Sequence, residues 1–145
     1  MSKIDIHFII PGTAEYTQEL ILRDEVLRKP LGLSLFNEDL SKETNDYHIG
    51  AFLDDHLVGI LILTVLNDKE IKMRQVAVKE NKRGMSVGTE LVKFAENFSK
   101  SKDYKIIVLN ARKTAVNFYK KLNYEIISDE FIEVNIPHYK MKKLL

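Results

Sequence analysis

The chain has 145 residues, 45% hydrophobic and 30% charged, with 22 Lys and Arg against 21 Asp and Glu. That length and composition predict one globular domain over residues 1–145, with enough chain to bury its own core, and exclude a disordered one. The net charge of +1 gives no bulk argument for nucleic acid or an anionic membrane, and the lack of any cysteine excludes disulfides, thiolate metal sites and a cysteine nucleophile.

Residues 4–10 read as a strand closed by Pro11-Gly12. The segment is too short for a secretory signal, and Asp5 and His7 interrupt it. The longest apolar run, 57–66, is about half a membrane span, so a cytoplasmic protein is expected. Thr13 N-caps a predicted helix over 14–29, with Tyr16, Leu20 and Leu27 on its apolar side and Pro30 and Gly32 ending it. Residues 33–46 are mixed, with Ser34 and Ser41 as starts of short helical turns. Residues 47–53 and 57–66 predict a hairpin about Asp54-Asp55-His56; the second strand is apolar almost throughout and therefore central. After the turn Asn67-Asp68-Lys69, residues 70–78 form a fourth strand with polar outliers.

A helix over 86–101 carries Val87, Leu91, Phe94, Ala95 and Phe98 on one face. Residues 104–109 are a β-branched strand, and 113–122 a short helix with Ala115, Phe118, Tyr119 and Leu122 on one side. Residues 124–127 and 138–144 read as closing strands. A meander followed by a β-α-β unit predicts an α/β fold, its mixed sheet covered by helices on both faces.

Between the fourth strand and the long helix lies a basic loop, Arg83-Gly84-Met85-Ser86-Val87-Gly88-Thr89. Unpaired N–H groups at a helix start, with the dipole behind them, suit a phosphate. Glycines 84 and 88 would let a ligand approach the backbone closely, and Arg83 adds a fixed charge. The loop is not a Walker A motif, because no Gly-Lys-Ser/Thr follows, and its glycine spacing is not that of a dinucleotide fingerprint. Gly84-Met85-Ser86-Val87-Gly88 does match Gly-x-Ser-x-Gly, with Asp129, Glu130 and His138 following in triad order. A nucleophile-elbow serine sits directly at a strand end, however, and here residues 79–85 intervene. A serine hydrolase using Ser86 is therefore the weakest reading.

Two segments carry a stronger resemblance. Arg83-Gly84-Met85-Ser86-Val87-Gly88 resembles the Gln/Arg-x-x-Gly-x-Gly/Ala acyl-CoA loop of the GNAT superfamily of N-acetyltransferases, with Ser86 at the first glycine position. Asn110, then Ala115-Val116-Asn117-Phe118-Tyr119 running to Asn123-Tyr124, resembles that family's Asn…Ala-x-x-Phe-Tyr-x-x-x-Gly-Phe/Tyr segment. Serine costs little at its position if its φ is helical, and Asn123 tolerates the left-handed conformation of a helix end. The resemblance implies a GNAT-like acyl-CoA N-acyltransferase fold, with a largely antiparallel sheet of about six or seven strands and about four helices.

It also implies acetyl-CoA as co-substrate, no metal, and direct transfer to an amine of a small molecule or peptide. Gln75, Val76, Ala77 and Val78 would hold the pantetheine arm between splayed strands. Arg83, Gly84, Met85, Ser86, Val87, Gly88 and Thr89 would hold the pyrophosphate. Asn110 and Asn117 would bond the pantetheine or its neighbourhood. The Val76 N–H would polarise the acetyl carbonyl, and Tyr119 would protonate the departing thiolate.

On the acceptor side, Glu70, His48 and His138 are candidates for taking the amine proton, with Gln75 a candidate only for positioning a water, and no spacing selects among them. Arg28 would hold an acidic group on the substrate, unless it is a solvated helix-end arginine. Ile136-Pro137-His138 resembles a segment near the acceptor site in a small bacterial branch of the superfamily. His7, His48, His56 and His138 show no ligand spacing with carboxylates, so no metal is expected. A CoA-binding sensor without turnover is the alternative, and the resemblance is compatible with a homodimer.

Overall fold

The computed structural model describes residues 3–145. Strand β1 (Asp5–Ile9) leads into helix α1 (Ala14–Leu27), whose N-cap Thr13 accepts from the Tyr16 N–H. Short 3-10 turns at Lys29–Leu31, Leu35–Asn37 and Ser41–Asn45 fill the path to β2 (Tyr47–Leu53). The buried Asp24 carboxylate pins this path by accepting from the Leu35 N–H at 2.9 Å. Strands β3 (His56–Val65) and β4 (Glu70–Val78) complete the meander; α2 (Val87–Ser101), β5 (Ile106–Arg112) and α3 (Val116–Lys121) follow. Strands β6 (Glu125–Ile126), β7 (Phe131–Glu133) and β8 (Ile136–Leu144) close the chain.

Among the described residues the sheet has eight strands in the order β1-β2-β3-β4-β5-β8-β6, with β7 also paired to β8. Every pairing is antiparallel except β4–β5. The mixed, largely antiparallel α/β fold is as expected. Two counts are corrected: the strand β7 is additional, and the described residues hold three α-helices rather than four, the remainder being 3-10 turns. Strand β8 starts at Ile136, two residues early, because Val134 and Asn135 form a two-residue turn with φ of 45° and 62°.

Helices cover both faces. Val87, Leu91, Val92 and Ala95 of α2 pack with Leu61, Leu63, Ile71, Met73, Ile107 and Leu109. Leu22 and Leu27 of α1 pack on the other face with Ile9, Phe52, Leu57, Ile60 and Ala77. Gly59 lets α2 come close: a Cβ there would lie 2.9 Å from both Leu91 Cδ1 and Val87 Cγ1.

The buried side of α1 departs from expectation in part: Leu27 is buried and Tyr16 packs on the core as expected, but Glu19, Leu22, Arg23 and Asp24 are buried as well. Arg23, fully buried, lies 3.1 Å from Glu19 and 2.8 Å from Glu43. His48 faces Glu19 Oε2 at 2.8 Å and the Glu43 carbonyl at 2.7 Å. Buried charges persist only where paired in this way.

One irregularity shapes the centre of the sheet. Ile62 pairs with Arg74 and Ile60 with Ala77, so Gln75 and Val76 together oppose Leu61. This is a β-bulge, and Gln75 adopts φ of 53°. The inserted residue inverts the alternation of β4. Ile71 and Met73 face α2 before it; Val76 and Val78 face α2 after it, while Ala77 turns to the α1 side. A bulge also bends its strand and increases the local twist. Pairing between β4 and β5 runs from Glu70–Ile106 to Met73–Leu109 and stops there. Beyond that point β4 stays with β3, while β5 continues with β8 as far as Arg112–His138.

Candidate active site

Where β4 and β5 part, a cleft of about 900 Å³ passes through the sheet. One mouth lies under α2 and α3, the other under the C-terminal end of α1. Its walls include Met73 to Val78 of β4, Leu109 to Arg112 of β5, the loop before α2, and Phe118 and Tyr119. Gln75 and Val76 have register partners on neither β3 nor β5. Backbone along this edge is therefore available to an extended ligand that adds to the sheet as a strand would.

The loop before α2 is built for anions by its conformation. Gly84 has φ of 83°, and nothing lies within 4 Å of the position a Cβ would take, so glycine serves the backbone angle there. Ser86, the N-cap residue of α2, has φ of 64° and ψ of 14°, and its hydroxyl makes no capping bond. The expectation of a right-handed serine is thus corrected: Ser86 holds the left-handed conformation that glycine adopts more cheaply. A left-handed residue directly before a right-handed helix turns successive N–H groups toward one side, a concavity suited to phosphate oxygens. Gly88 has a different use from the one expected. A Cβ there would approach Phe118 Cζ to 3.3 Å, so its absence seats the Phe118 ring against α2.

Tyr119 lies on α3 beside the cleft, 6% exposed, with Phe118 and Tyr124 edge-on at 5.0 and 5.7 Å. Burial pushes its phenol far above the usual range, so the group stays protonated. Among the described residues its hydroxyl has no hydrogen-bond partner, which leaves it free to donate into the cleft. Asn110 also lines the cleft, from within β5 rather than after a strand.

The structure separates several residues that the sequence grouped together. Met85, 48% exposed, faces a shallow depression beside His56 and Lys79 on the far side of the loop. Asn117 is exposed on the outer side of α3, away from the cleft that Phe118 and Tyr119 line. Glu70 sits at the opposite end of β4, beside the Asn67 turn. His48 is 1% exposed and committed to Glu19 and Glu43, outside the cleft lining. Gln75 does line the cleft, and its Oε1 accepts from Arg23 at 3.4 Å and Arg28 at 3.5 Å. Those bonds tie the bulge to α1.

Arg28 is neither solvated nor free, since it is 8% exposed and its Nε donates to Glu38 at 2.6 Å. His138 is brought to the cleft, 5% exposed. Its Nδ1 donates to the Ile136 carbonyl at 2.7 Å, its Nε2 lies 3.6 Å from Glu133, and Phe131 stacks on the ring. No hydrolase triad forms: Ser86 has no bond to His138, and Glu130 is held by Lys113 at 2.9 Å and by the Tyr139 hydroxyl.

Arg112 belongs to neither of the two motifs and still reaches the cleft. The strand was expected to end at Leu109, yet it runs to Arg112, which pairs with His138 across β8 and lines the cleft. Asn110 and Arg112, two apart and both polar after an apolar run, were the available signal.

The comparisons agree with this architecture. Residues 13–145 match the family model described as an acetyltransferase (GNAT) domain. The chain is 29% identical over 123 residues to YjcF, an uncharacterized N-acetyltransferase of Bacillus subtilis (strain 168), spanning 84% of this chain and 87% of that protein. A Lactobacillus plantarum structure assigned as an N-acetyltransferase superposes with a TM-score of 0.87 at 22% identity, over 98% of both chains. A GNAT family acetyltransferase from Elizabethkingia anophelis, solved with acetyl-CoA bound, gives 0.75 at 19% identity over 98% of both chains. With the family model spanning nearly the whole chain and the parted sheet, anion loop and α3 tyrosine in place, this protein belongs to the GNAT acetyltransferases.

Proposed function

We propose that the chain, acting as one domain, is an acetyl-CoA-dependent N-acetyltransferase that passes acetyl directly to an amine within a ternary complex. The observation that carries this reading is the parting of β4 from β5 at Met73–Leu109, which leaves a strand edge beside an anion loop and a buried tyrosine. Bound acetyl-CoA would supply a thioester carbonyl activated toward amines. Backbone groups of Val76, Ala77 and Val78, with Gln75 holding the bulge, would pair the pantetheine arm. Arg83, Gly84, Ser86, Val87, Gly88 and Thr89 would hold the pyrophosphate, and Asn110 the arm between them.

The Val76 N–H would donate to the carbonyl oxygen as negative charge grows on it. Tyr119, kept protonated by burial, would deliver a proton to the departing sulfur. His138 supports a base role. With Nδ1–H committed to the Ile136 carbonyl, the neutral ring leaves Nε2 to take the amine proton, and Glu133 would steady the resulting imidazolium. With no cysteine in the chain, no cysteinyl acyl-enzyme can form, which favours direct attack.

Release of CoA thiol, followed with acetyl-CoA and a panel of amines, tests the proposal. Amine-dependent release that falls about a hundredfold in kcat in Tyr119→Phe supports it. CoA binding with no turnover on any amine would favour a sensor instead.

A further inference from the structure

At the α1 mouth of the cleft the charges do not balance. Arg28 is neutralised by Glu38, through Nε at 2.6 Å and a second nitrogen at 3.3 Å. Arg74 lies 3.5 Å from Glu43 and 3.7 Å from Asp46. Arg112 has no such partner: among the described residues its one recorded bond is to the Leu27 carbonyl, at 3.4 Å. It is partly buried, and burial, with the Arg28 and Arg83 charges behind it, holds its guanidinium below the usual range. A partly buried guanidinium lacking a counter-anion costs free energy that a bound anion would recover. Residues directly opposite in an antiparallel pair point to one face, so Arg112 and His138 share the face that α1 covers. Among the described residues, the carboxylate that faces His138 is Glu133, 3.6 Å away and 47% exposed.

We propose that Arg112 binds a carboxylate on the acceptor, and that the substrates are amines carrying that carboxylate a few bonds away, as in an amino acid. This rests on the acetyltransferase reading and names the substrate class for the same cleft. The pairing of charges matches a zwitterion: Glu133 and His138 receive the ammonium end, and Arg112 the acid end. A planar guanidinium presents two parallel donors to a carboxylate. A phosphate dianion fits less well, because Arg28 is already neutralised and Glu133 would repel the extra charge. The anchoring role expected of Arg28 thus passes to Arg112, which is a substrate-binding side chain with no part in the proton transfers.

The test compares amino acids, each beside its carboxamide and its decarboxylated amine, by release of CoA thiol. The acid member should be preferred by about tenfold or more in kcat/KM. Arg112→Gln should abolish that preference mainly through the acceptor KM, Arg112→Lys should restore part of it, and the acetyl-CoA KM should hold. Equal use of acids and amides by the unaltered protein would overturn the proposal. So would an Arg112→Gln effect that falls on the acetyl-CoA KM, which would make Arg112 a CoA-phosphate ligand. Absence of turnover on every amine would sink the acetyltransferase reading, and the acceptor site is then read without chemistry. N-acetylamino acids, but not their amides, should raise the melting temperature of the CoA-bound protein, and should cease to do so in Arg112→Gln. Equal or absent stabilisation by acid and amide would overturn the proposal independently of activity.

Discussion

Replacing Ser86 with glycine should stabilise the protein and leave acetyl transfer intact. Ser86 holds φ of 64° at the N-cap of α2, and its hydroxyl makes no capping bond. An L-residue in the left-handed region costs roughly 1–2 kcal/mol, which glycine avoids. Glycine gives back about 0.5–1 kcal/mol through the greater freedom of the unfolded chain. No cap is lost, so the net gain is about 0.5–1 kcal/mol, or roughly 1.5–3 °C in melting temperature for a chain of this size. Ser86→Ala keeps the strain and loses no bond, so it should melt where the unaltered protein does. Calorimetry on the three proteins, with kcat/KM for acetyl-CoA, decides the matter. A melting temperature lowered in Ser86→Gly would show that the hydroxyl or the backbone angle is misjudged. Loss of transfer in that variant would return Ser86 to the chemistry and undo the assignment of the loop.

Two further outcomes concern the scaffold. Gly59→Ala places a methyl 2.9 Å from Leu91 and Val87; it should cost about 1–3 kcal/mol by pushing α2 off β3, read by urea unfolding, and should raise the acetyl-CoA KM because Val87 lies within the anion loop, as the first residue of α2. Both His48 nitrogens face acceptors, at 2.8 and 2.7 Å, an arrangement that favours the doubly protonated ring. Burial draws its pKa down, but the Glu19 hydrogen bond and charge outweigh it, and the value stands above the ordinary 6.5. A raised folded pKa means that this contribution is complete below about 6.5 and is lost as pH climbs through the folded value. Melting temperature measured across that range should fall on the alkaline side, and His48→Gln should flatten the fall while lowering stability overall by about 3 kcal/mol.

The parts of the fold that local chemistry governs were legible. The Thr13 cap, the Asp54-Asp55 turn and the apolar face of α2 each act within a few residues. The buried side of α1 was not, because Glu19 and Arg23 look like surface residues until Glu43 and His48, far along the chain, come to pair with them. Strand β7 was hidden by its turn: Val134 takes a positive φ, where a β-branched residue is least expected. The bulge does leave a trace in the sequence. Apolar residues at Ile71 and Met73 shift phase to Val76 and Val78, which only an inserted residue reconciles with one buried face. The site follows the same division. The anion loop and Tyr119 stand in contiguous motifs, whereas the Arg112–His138 pair exists only through the register of β5 on β8.

The central claim is that the gap between β4 and β5 is a seat for acyl-CoA. A crystal structure of the protein grown with CoA tests it most directly. The pantetheine should lie along β4 with its amides bonded to the Val76 and Val78 backbone, its pyrophosphate on the N–H groups following Ser86, and its sulfur within hydrogen-bonding reach of the Tyr119 hydroxyl. CoA seated elsewhere, or β4 and β5 paired past Met73 and Leu109 with the cleft closed, would contradict the account.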